Sequence, residues 1–231
     1  MGQVKGCHLV GSVCLPDTET VFRKCITGMP GRLKRIPDGE TEARQNFTVF
    51  QAAFFQSVPQ MMTEFINNSM IQSREFTPQQ VQDGIAKLIQ AAPVTGYDTA
   101  AIESYGVFKK LRDEGVIPKG TRFQVCLPTL ANVILVFVQK AFMTAAEPVY
   151  EKALFQALRN IQDAIPHEDL SIQIDMAADT SLWENVKMYR PWFHEDDKDM
   201  DKRKQYMVDF TIRMISQVDQ DVELGLHNCY G

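Results

Sequence analysis

The chain has 231 residues, of which 45% are hydrophobic and 23% charged, and its net charge is −5 at neutral pH. This composition is typical of a globular protein with one sizeable domain or two small ones. The negative charge argues against a general surface for nucleic acid or anionic membrane. The longest apolar run, around 131–138, is far shorter than the roughly 18 residues that span a bilayer.

The first half of the chain alternates between strand-like apolar runs and helical patterns. The predicted strands of this half are 8–14, 33–37 and 93–97. The predicted helices are 18–27, 42–60 and 77–91, with a polar loop over 67–76. Thr77 and Gln80 form a capping box with Pro78 between them, which is a strong signal for the start of a helix.

The second half continues the same alternation. Its predicted strands are 122–127, 171–176 and 224–229. Its predicted helices are 98–114, 129–164 and 202–217. The long helix is expected to break near Glu147 and Pro148, because proline disfavours the helical state of the residue before it. The charged run that starts at His194 is predicted to be a solvated loop.

Six predicted strands with intervening helices indicate a parallel α/β fold. No linker divides the chain, so residues 1–231 are expected to form a single domain. The five cysteines, without a signal segment, predict reduced thiols in a cytoplasmic protein. In parallel α/β barrels, the residues that carry chemistry gather at the carboxyl ends of the strands. The residues at those positions here are Ser12, Cys14, Asp38, Glu40, Tyr97, Cys126, Thr129, Gln173, Asp175, His227 and Cys229.

His227 and Cys229 end the last predicted strand. Residues two apart on a strand point to the same face, and imidazole and thiolate are both zinc ligands. Two ligands do not hold a catalytic zinc, which needs about three from the protein. The alternative interpretation is a small buried cysteine in the core.

Five segments resemble the catalytic barrel of cobalamin-independent methionine synthase and its relatives. Along the chain, they occur in the same order as in the family. HLVGS at 8–12 resembles the Ile-Gly-Ser segment that opens the family's barrel, and IQID at 172–175 resembles a family strand. HNC at 227–229 resembles the family's His-x-Cys zinc pair, and RFQVCLPT at 122–129 occupies the place of its Gly-Pro-x-Thr strand. PDGET at 37–41 resembles a smaller branch of the methionine synthase and uroporphyrinogen decarboxylase-like superfamily.

The resemblance implies a TIM (β/α)8-type barrel and zinc-assisted methyl transfer to a homocysteine-like thiol. The backbone of Gly11 and Ser12 and the carboxylate of Asp175, with Gln173 beside it, would bind the amino-acid part of the substrate. Zinc, held by His227 and Cys229, would lower the pKa of the substrate thiol. Asp38 and Glu40 are the candidates for acid–base catalysis.

The sequence departs from the family pattern in three ways. The family's remaining zinc ligands, a Glu and a second Cys, lie downstream of His-x-Cys, where this sequence ends. The family's Asp-Glu-Pro is Asp175-Met176-Ala177 here, and Asp179 is only a partial replacement for the missing carboxylate. An eight-stranded barrel usually needs about 250 residues. We therefore expect an incomplete barrel of about six βα units. Either a homo-oligomeric partner completes it, or the chain is a C-terminally shortened product, or the fold is strained and poorly soluble.

Alternatives remain open at this stage. Cys14 and Cys126 could replace the missing zinc ligands, or they could be buried core thiols. The chain could be a non-catalytic relative with a small-molecule pocket or an interaction role. It could also be a metal-free decarboxylase-like enzyme that uses Asp38 or Asp175 to bind a cationic intermediate. Each alternative expects a small-molecule ligand or a protein contact, and none expects nucleic acid or a membrane.

Overall fold

The computed structural model describes residues 6–67, 69–186, 191–193 and 199–230, which form a mixed α/β fold. Its α-helices are α1 (Thr18–Gly28), α2 (Pro78–Ala91), α3 (Tyr97–Asp113), α4 (Ala131–Phe137), α5 (Lys140–Ala164), α6 (Ala178–Trp183) and α7 (Met200–Ile215). Its strands are β1 (Arg35–Pro37), β2 (Glu64–Ile66), β3 (Ser69–Ile71), β4 (Arg122–Pro128), β5 (Leu170–Met176) and β6 (Glu223–Asn228). None of the described helices has the length and apolar character needed to cross a membrane. Apart from Asp199, the charged run that starts at His194 lies outside the described residues.

Four strands form one parallel sheet in the order β1-β4-β5-β6, so the prediction of a parallel α/β fold is confirmed. The register places Cys126 opposite Gln173 and Asp175 opposite His227. The polar ends of neighbouring strands therefore meet at one edge of the sheet. Within the described residues, the strands do not close into a barrel.

The two faces of the sheet differ in chemistry because side chains alternate along each strand. On one face, Phe123 packs its ring against Phe22 of α1 and Phe108 of α3. The opposite face carries Gln124 and Gln173, which are buried without being apolar. Buried polar groups are stable only when they are hydrogen-bonded, so this face must contain a polar network.

The predicted strand at 8–14 does not form a backbone ladder with the sheet. A single parallel bridge joins Cys7 to Leu33. Further along, the carbonyl of Val10 accepts a 2.6 Å hydrogen bond from the side-chain amide of Gln173. The segment is therefore held by side chains of the sheet and by backbone hydrogen bonds to residues that flank β1, from Cys7 to Arg32 and from Val13 to Gly39.

Two other predictions in the first half are wrong. The run 93–97 forms no strand, because Gly96 takes a left-handed conformation (φ +77°) that turns the chain directly into α3 at Tyr97. The polar segment 67–76 was predicted to be a loop, but its start belongs to the antiparallel hairpin of β2 and β3.

The predicted helix at 42–60 is replaced by three short 3₁₀ segments, Glu42–Arg44, Val49–Phe55 and Pro59–Met61. Glu42 and Phe47 have positive φ angles of 58° and 48°, which a continuous right-handed helix cannot contain. Phe54 and Phe55 of this segment nevertheless lie in the core.

The long helix breaks at a different place from the predicted one. The backbone is extended at Val138 and Gln139, and the amide of Gln139 donates a 2.7 Å hydrogen bond to the carbonyl of Met61. α5 then continues through Pro148, and its buried residue Tyr150 packs in the core. A tertiary hydrogen bond therefore ends α4, while core packing holds α5 together across the proline. The other predicted helices and strands are confirmed within a few residues of their ends.

The turn after β1 gives a test of packing near the sheet edge. Gly39 has a φ of +85°, and a Cβ there would lie 2.6 Å from Cγ2 of Val21. We expect Gly39→Ala to lower the free energy of unfolding by roughly 2–5 kcal/mol, because left-handed strain of about 1–2 kcal/mol adds to overpacking of about 1–3 kcal/mol. Urea unfolding of the purified variants measures this loss.

Gly31→Ala is the matched control for this experiment. Gly31 also has a positive φ of 67°, but a Cβ there would meet no atom within 4 Å. The free energy of unfolding of this variant should therefore fall only by the backbone strain, about 1–2 kcal/mol. Equal losses in the two variants would contradict the contact with Val21 as a cause.

Candidate functional site

Polar side chains gather on the polar face of the sheet near the carboxyl ends of its strands. We refer to this group as the mouth cluster. Its members are Ser12, Asp38, Glu40, Cys126, Gln173, Asp175 and His227. Hydrogen bonds and close contacts connect segments that lie far apart in the sequence, so the fold brings together most of the predicted site residues.

Ser12 and Glu40 form the first link of the cluster. The hydroxyl of Ser12 donates a short hydrogen bond to Oε2 of Glu40. Ser12 is exposed, whereas Glu40 is only 9% exposed. A Cβ on Gly11 would lie 3.3 Å from the Glu40 carboxylate and 3.4 Å from Sγ of Cys126. The absence of a side chain at Gly11 therefore lets the backbone lie directly over these two groups.

Asp175 is the second buried carboxylate, with 5% of its surface exposed. Its Oδ1 accepts a 2.8 Å hydrogen bond from Nε2 of Gln173 and lies 3.0 Å from Nδ1 of His227. Gln173 also bonds to Nε2 of His8 at 2.8 Å. His227 thus keeps Nε2 for another partner, an arrangement that orients many metal-binding histidines.

The electrostatics of the cluster are strongly negative. Burial, together with the nearby carboxylates of Asp175 and Asp38, raises the pKa of Glu40 to about 7, although the hydrogen bond from Ser12 and the charge of Arg44 oppose this rise. Burial also raises the pKa of Asp175, although the hydrogen bonds from Gln173 and His227 oppose this change. In the part of the chain that is described, no lysine or arginine forms an ion pair with Glu40 or Asp175. The site therefore favours a positively charged ligand.

Asp38 has a structural role within the mouth cluster. Its carboxylate pairs with Arg44 at 2.6 Å, accepts a 2.8 Å hydrogen bond from Ser104 and accepts a 2.9 Å hydrogen bond from the backbone amide of Glu40. Both oxygens are already bonded to protein groups. Asp38 thus fixes the turn that carries Glu40, while Glu40 itself faces the other carboxylate.

Three potential metal ligands meet in the cluster. A carboxylate oxygen of Glu40, Sγ of Cys126 and a carboxylate oxygen of Asp175 lie within 4.8 Å of one another. Burial raises the pKa of the Cys126 thiol well above its ordinary value. Cys14, the other predicted replacement ligand, is exposed and is not part of this group.

Cys229 does not join these ligands. It follows the end of β6, where its amide donates a 3.2 Å hydrogen bond to the carbonyl of Met176. It lines a groove of about 520 Å³ together with Trp183 and Tyr230. Among the described residues, no group of three or more potential ligands contains His227 or Cys229. The predicted His-x-Cys pair is therefore not a complete zinc site there.

Sequence reasoning missed Gln124. This side chain is 1% exposed, and its Oε1 has no hydrogen-bond partner among the described residues. Its Nε2 lies 3.4 Å from Sγ of Cys126 and 2.9 Å from the carbonyl of Leu9. The signal that could have found it is its position two residues before Cys126, since alternate strand residues share one face.

Asp179 does not replace the carboxylate that is missing after Asp175. Its Oδ2 accepts a short hydrogen bond from the hydroxyl of Thr129, away from the three potential metal ligands. Burial raises the pKa of Asp179 to about 6, although the bond from Thr129 opposes this rise. Asp179 is therefore a buried carboxylate whose ionisation destabilises the fold.

Comparison of the chain with protein-family models, with curated proteins and with solved structures finds no match.

The raised pKa of Asp179 predicts a pH-dependent stability. The folded state holds the proton up to a pH of about 6, whereas the ordinary value is 3.8. The folded state is therefore favoured at low pH, and this contribution is lost as pH rises from about 4 to about 6. A shift of about two pH units corresponds to at most about 3 kcal/mol.

Asp179→Asn removes the ionisation and keeps an oxygen that accepts the hydrogen bond from Thr129. We expect this variant to be more stable than the parent at pH 7, by up to about 3 kcal/mol, with a smaller difference at pH 4. Urea unfolding across this pH range measures both effects. Asp113→Asn, at an exposed carboxylate, controls for net charge. Parallel stability curves for Asp179→Asn and the parent protein would contradict the assignment.

Proposed function

We propose that this chain is a methionine-synthase-like protein that binds the amino-acid part of a small thiol for methyl transfer to its sulfur. The observation that carries the proposal is the convergence of three segments that resemble the family, 8–12, 37–41 and 172–175. Their side chains meet in the mouth cluster, where Ser12 bonds to Glu40 and a Glu40 oxygen lies within 4.8 Å of an Asp175 oxygen.

The fold supports this proposal at a coarser level. We propose that the parallel sheet β1-β4-β5-β6 is part of the wall of a (β/α)8-type barrel. Its apolar face packs against helices, and its polar face carries the mouth cluster, as the inside of such a barrel would. At the β6 edge, Leu226 is 54% exposed, and a further strand or a second copy of the chain would cover it.

The chemistry of the cluster suits an amino acid. A substrate ammonium group would add positive charge beside Glu40 and Asp175, neither of which forms an ion pair with a lysine or arginine of the described chain. An opposite charge nearby favours the ionised carboxylate, so binding would lower the pKa of Glu40 from about 7. The backbone at Gly11 and Ser12 lies above the carboxylates and would contact the other end of the amino-acid group.

Methyl transfer to sulfur needs a thiolate, because the thiol is a weak nucleophile. The resemblance implies that zinc bound by His227 and Cys229 would convert the substrate thiol to the thiolate. Among the described residues, this pair lacks a third ligand, so we assign it no step in the reaction. The proposal for this site therefore concerns the binding and orientation of the substrate.

Calorimetric titration of the metal-free protein tests substrate binding. We expect L-homocysteine to bind and 4-mercaptobutanoate, which lacks the amino group, to bind at least about 10-fold more weakly, because a hydrogen bond to a charged group contributes about 1.5–3 kcal/mol. Asp175→Asn should weaken homocysteine binding by a similar factor. Asp179→Asn is the matched control at a buried carboxylate outside the cluster, and it should bind normally.

Equal affinity for the two thiols, or an Asp175→Asn variant that binds like the parent protein, would contradict the proposed site. A second measurement separates catalysis from binding. Incubation with homocysteine and a panel of methyl donors should give S-methylated product, detected by mass spectrometry. Binding without product would instead favour the non-catalytic relative.

A further inference from the structure

A small cavity lies beside the mouth cluster and is polar on several sides. Its volume is about 10 Å³, close to the smallest space that holds one water molecule or ion. Glu40, Gln124 and Cys126 are among the residues that line it. Gln124 is almost fully buried, and its Oε1 has no partner among the described residues. A buried carbonyl oxygen without a partner lowers the stability of the fold by about 1–3 kcal/mol, so a hydrogen-bond donor or a cation at this atom would be stabilising.

The potential ligands are close enough for one ion: Glu40 and Cys126 line this cavity, together with the ion pair of Arg44 and Asp38, and Asp175 lies beside it. The ligand atoms of Glu40, Cys126 and Asp175 lie within 4.8 Å of one another. On a tetrahedral zinc with bonds of about 2.0–2.3 Å, ligand atoms are roughly 3.3–3.8 Å apart. Small side-chain movements of about 1 Å would therefore complete the coordination, without a change of fold.

Each carboxylate also has an oxygen to spare. Among the described residues, Glu40 accepts its side-chain hydrogen bond through Oε2 and Asp175 accepts through Oδ1. Ser12, Gln173 and His227 donate or contact at those oxygens, as second-layer partners of a metal site do. The remaining oxygen of each group can bind an ion while these contacts hold the carboxylate in place.

We propose that Glu40, Cys126 and Asp175 bind one zinc ion, with Oε1 of Gln124 as an additional oxygen donor. The thiol distinguishes zinc from magnesium and calcium, which take oxygen ligands. Coordination requires the thiolate, so the proton of Cys126 leaves to solvent when the ion binds. Three side-chain ligands leave a fourth tetrahedral position, which Oε1 of Gln124 would fill.

This site differs from the His227–Cys229 pair that the sequence predicts. It rests on the proposed function only for its effect on substrate: the ion would take the same two carboxylates as the substrate ammonium group, so the two ligands would compete, and the binding of the ion does not depend on any substrate. Metal binding and homocysteine binding can therefore be measured separately. Cys126 separates them best, since it is a ligand in this proposal and has no role in binding the amino-acid group.

Titration of the metal-free, full-length chain with Co²⁺ tests the proposal, with Zn²⁺ added afterwards as a competitor. We expect one equivalent to bind and to give the charge-transfer absorption of a cobalt–thiolate bond, which Zn²⁺ then removes. Cys126→Ser should lose this absorption and bind roughly 100-fold more weakly. Glu40→Gln should keep the absorption and bind at least about 10-fold more weakly.

Two cysteine variants serve as controls. Cys25→Ser changes another buried thiol, in α1, and should bind cobalt like the parent protein. Cys229→Ser should also retain the absorption. Circular dichroism establishes that each variant is folded. Loss of the absorption in Cys229→Ser with its retention in Cys126→Ser would overturn the proposal, as would a folded parent protein that binds no Co²⁺.

Discussion

Two buried carboxylates, Glu40 and Asp175, lie side by side near the carboxyl ends of the parallel strands. No lysine or arginine of the described chain forms an ion pair with either. Burying a carboxylate without a compensating charge is costly, and the raised pKa values of both groups reflect that cost. Carboxylates whose pKa values are raised by burial and by a neighbouring like charge cluster at functional sites. The polar face of the sheet and the segment 8–14 surround these two carboxylates with hydrogen-bonding groups.

The surrounding structure holds the two carboxylates in place. Asp38 bonds to the backbone amide of Glu40 and is itself held by Arg44, so the turn after β1 is fixed by charge as well as by the close packing of Gly39. On the other side, strand pairing places His227 directly opposite Asp175. One carboxylate is therefore positioned by a turn and the other by a strand, and the positions of both depend on interactions that are distant in sequence.

The sequence predicted the parts of this arrangement that depend on local patterns. The strands predicted at 122–127, 171–176 and 224–229 carry candidate residues near their carboxyl ends, and the parallel pairing of the last two places Asp175 opposite His227. The segments it mispredicted are governed by tertiary contacts. The break at Val138 depends on a hydrogen bond to Met61, and no helical pattern contains that information. The orphan oxygen of Gln124 likewise appears only when the neighbouring strands are in place.

Cys229 shows why spacing alone predicts a ligand poorly. Its two-residue spacing from His227 places both on one face only while the strand continues, and β6 ends at Asn228. Cys126 lies inside β4, where the ladder with β5 fixes its side chain next to Asp175. A thiol in the middle of a paired strand is held more firmly than one beyond a strand end. The protein therefore has a better-positioned sulfur at Cys126 than at the residue that the resemblance selects.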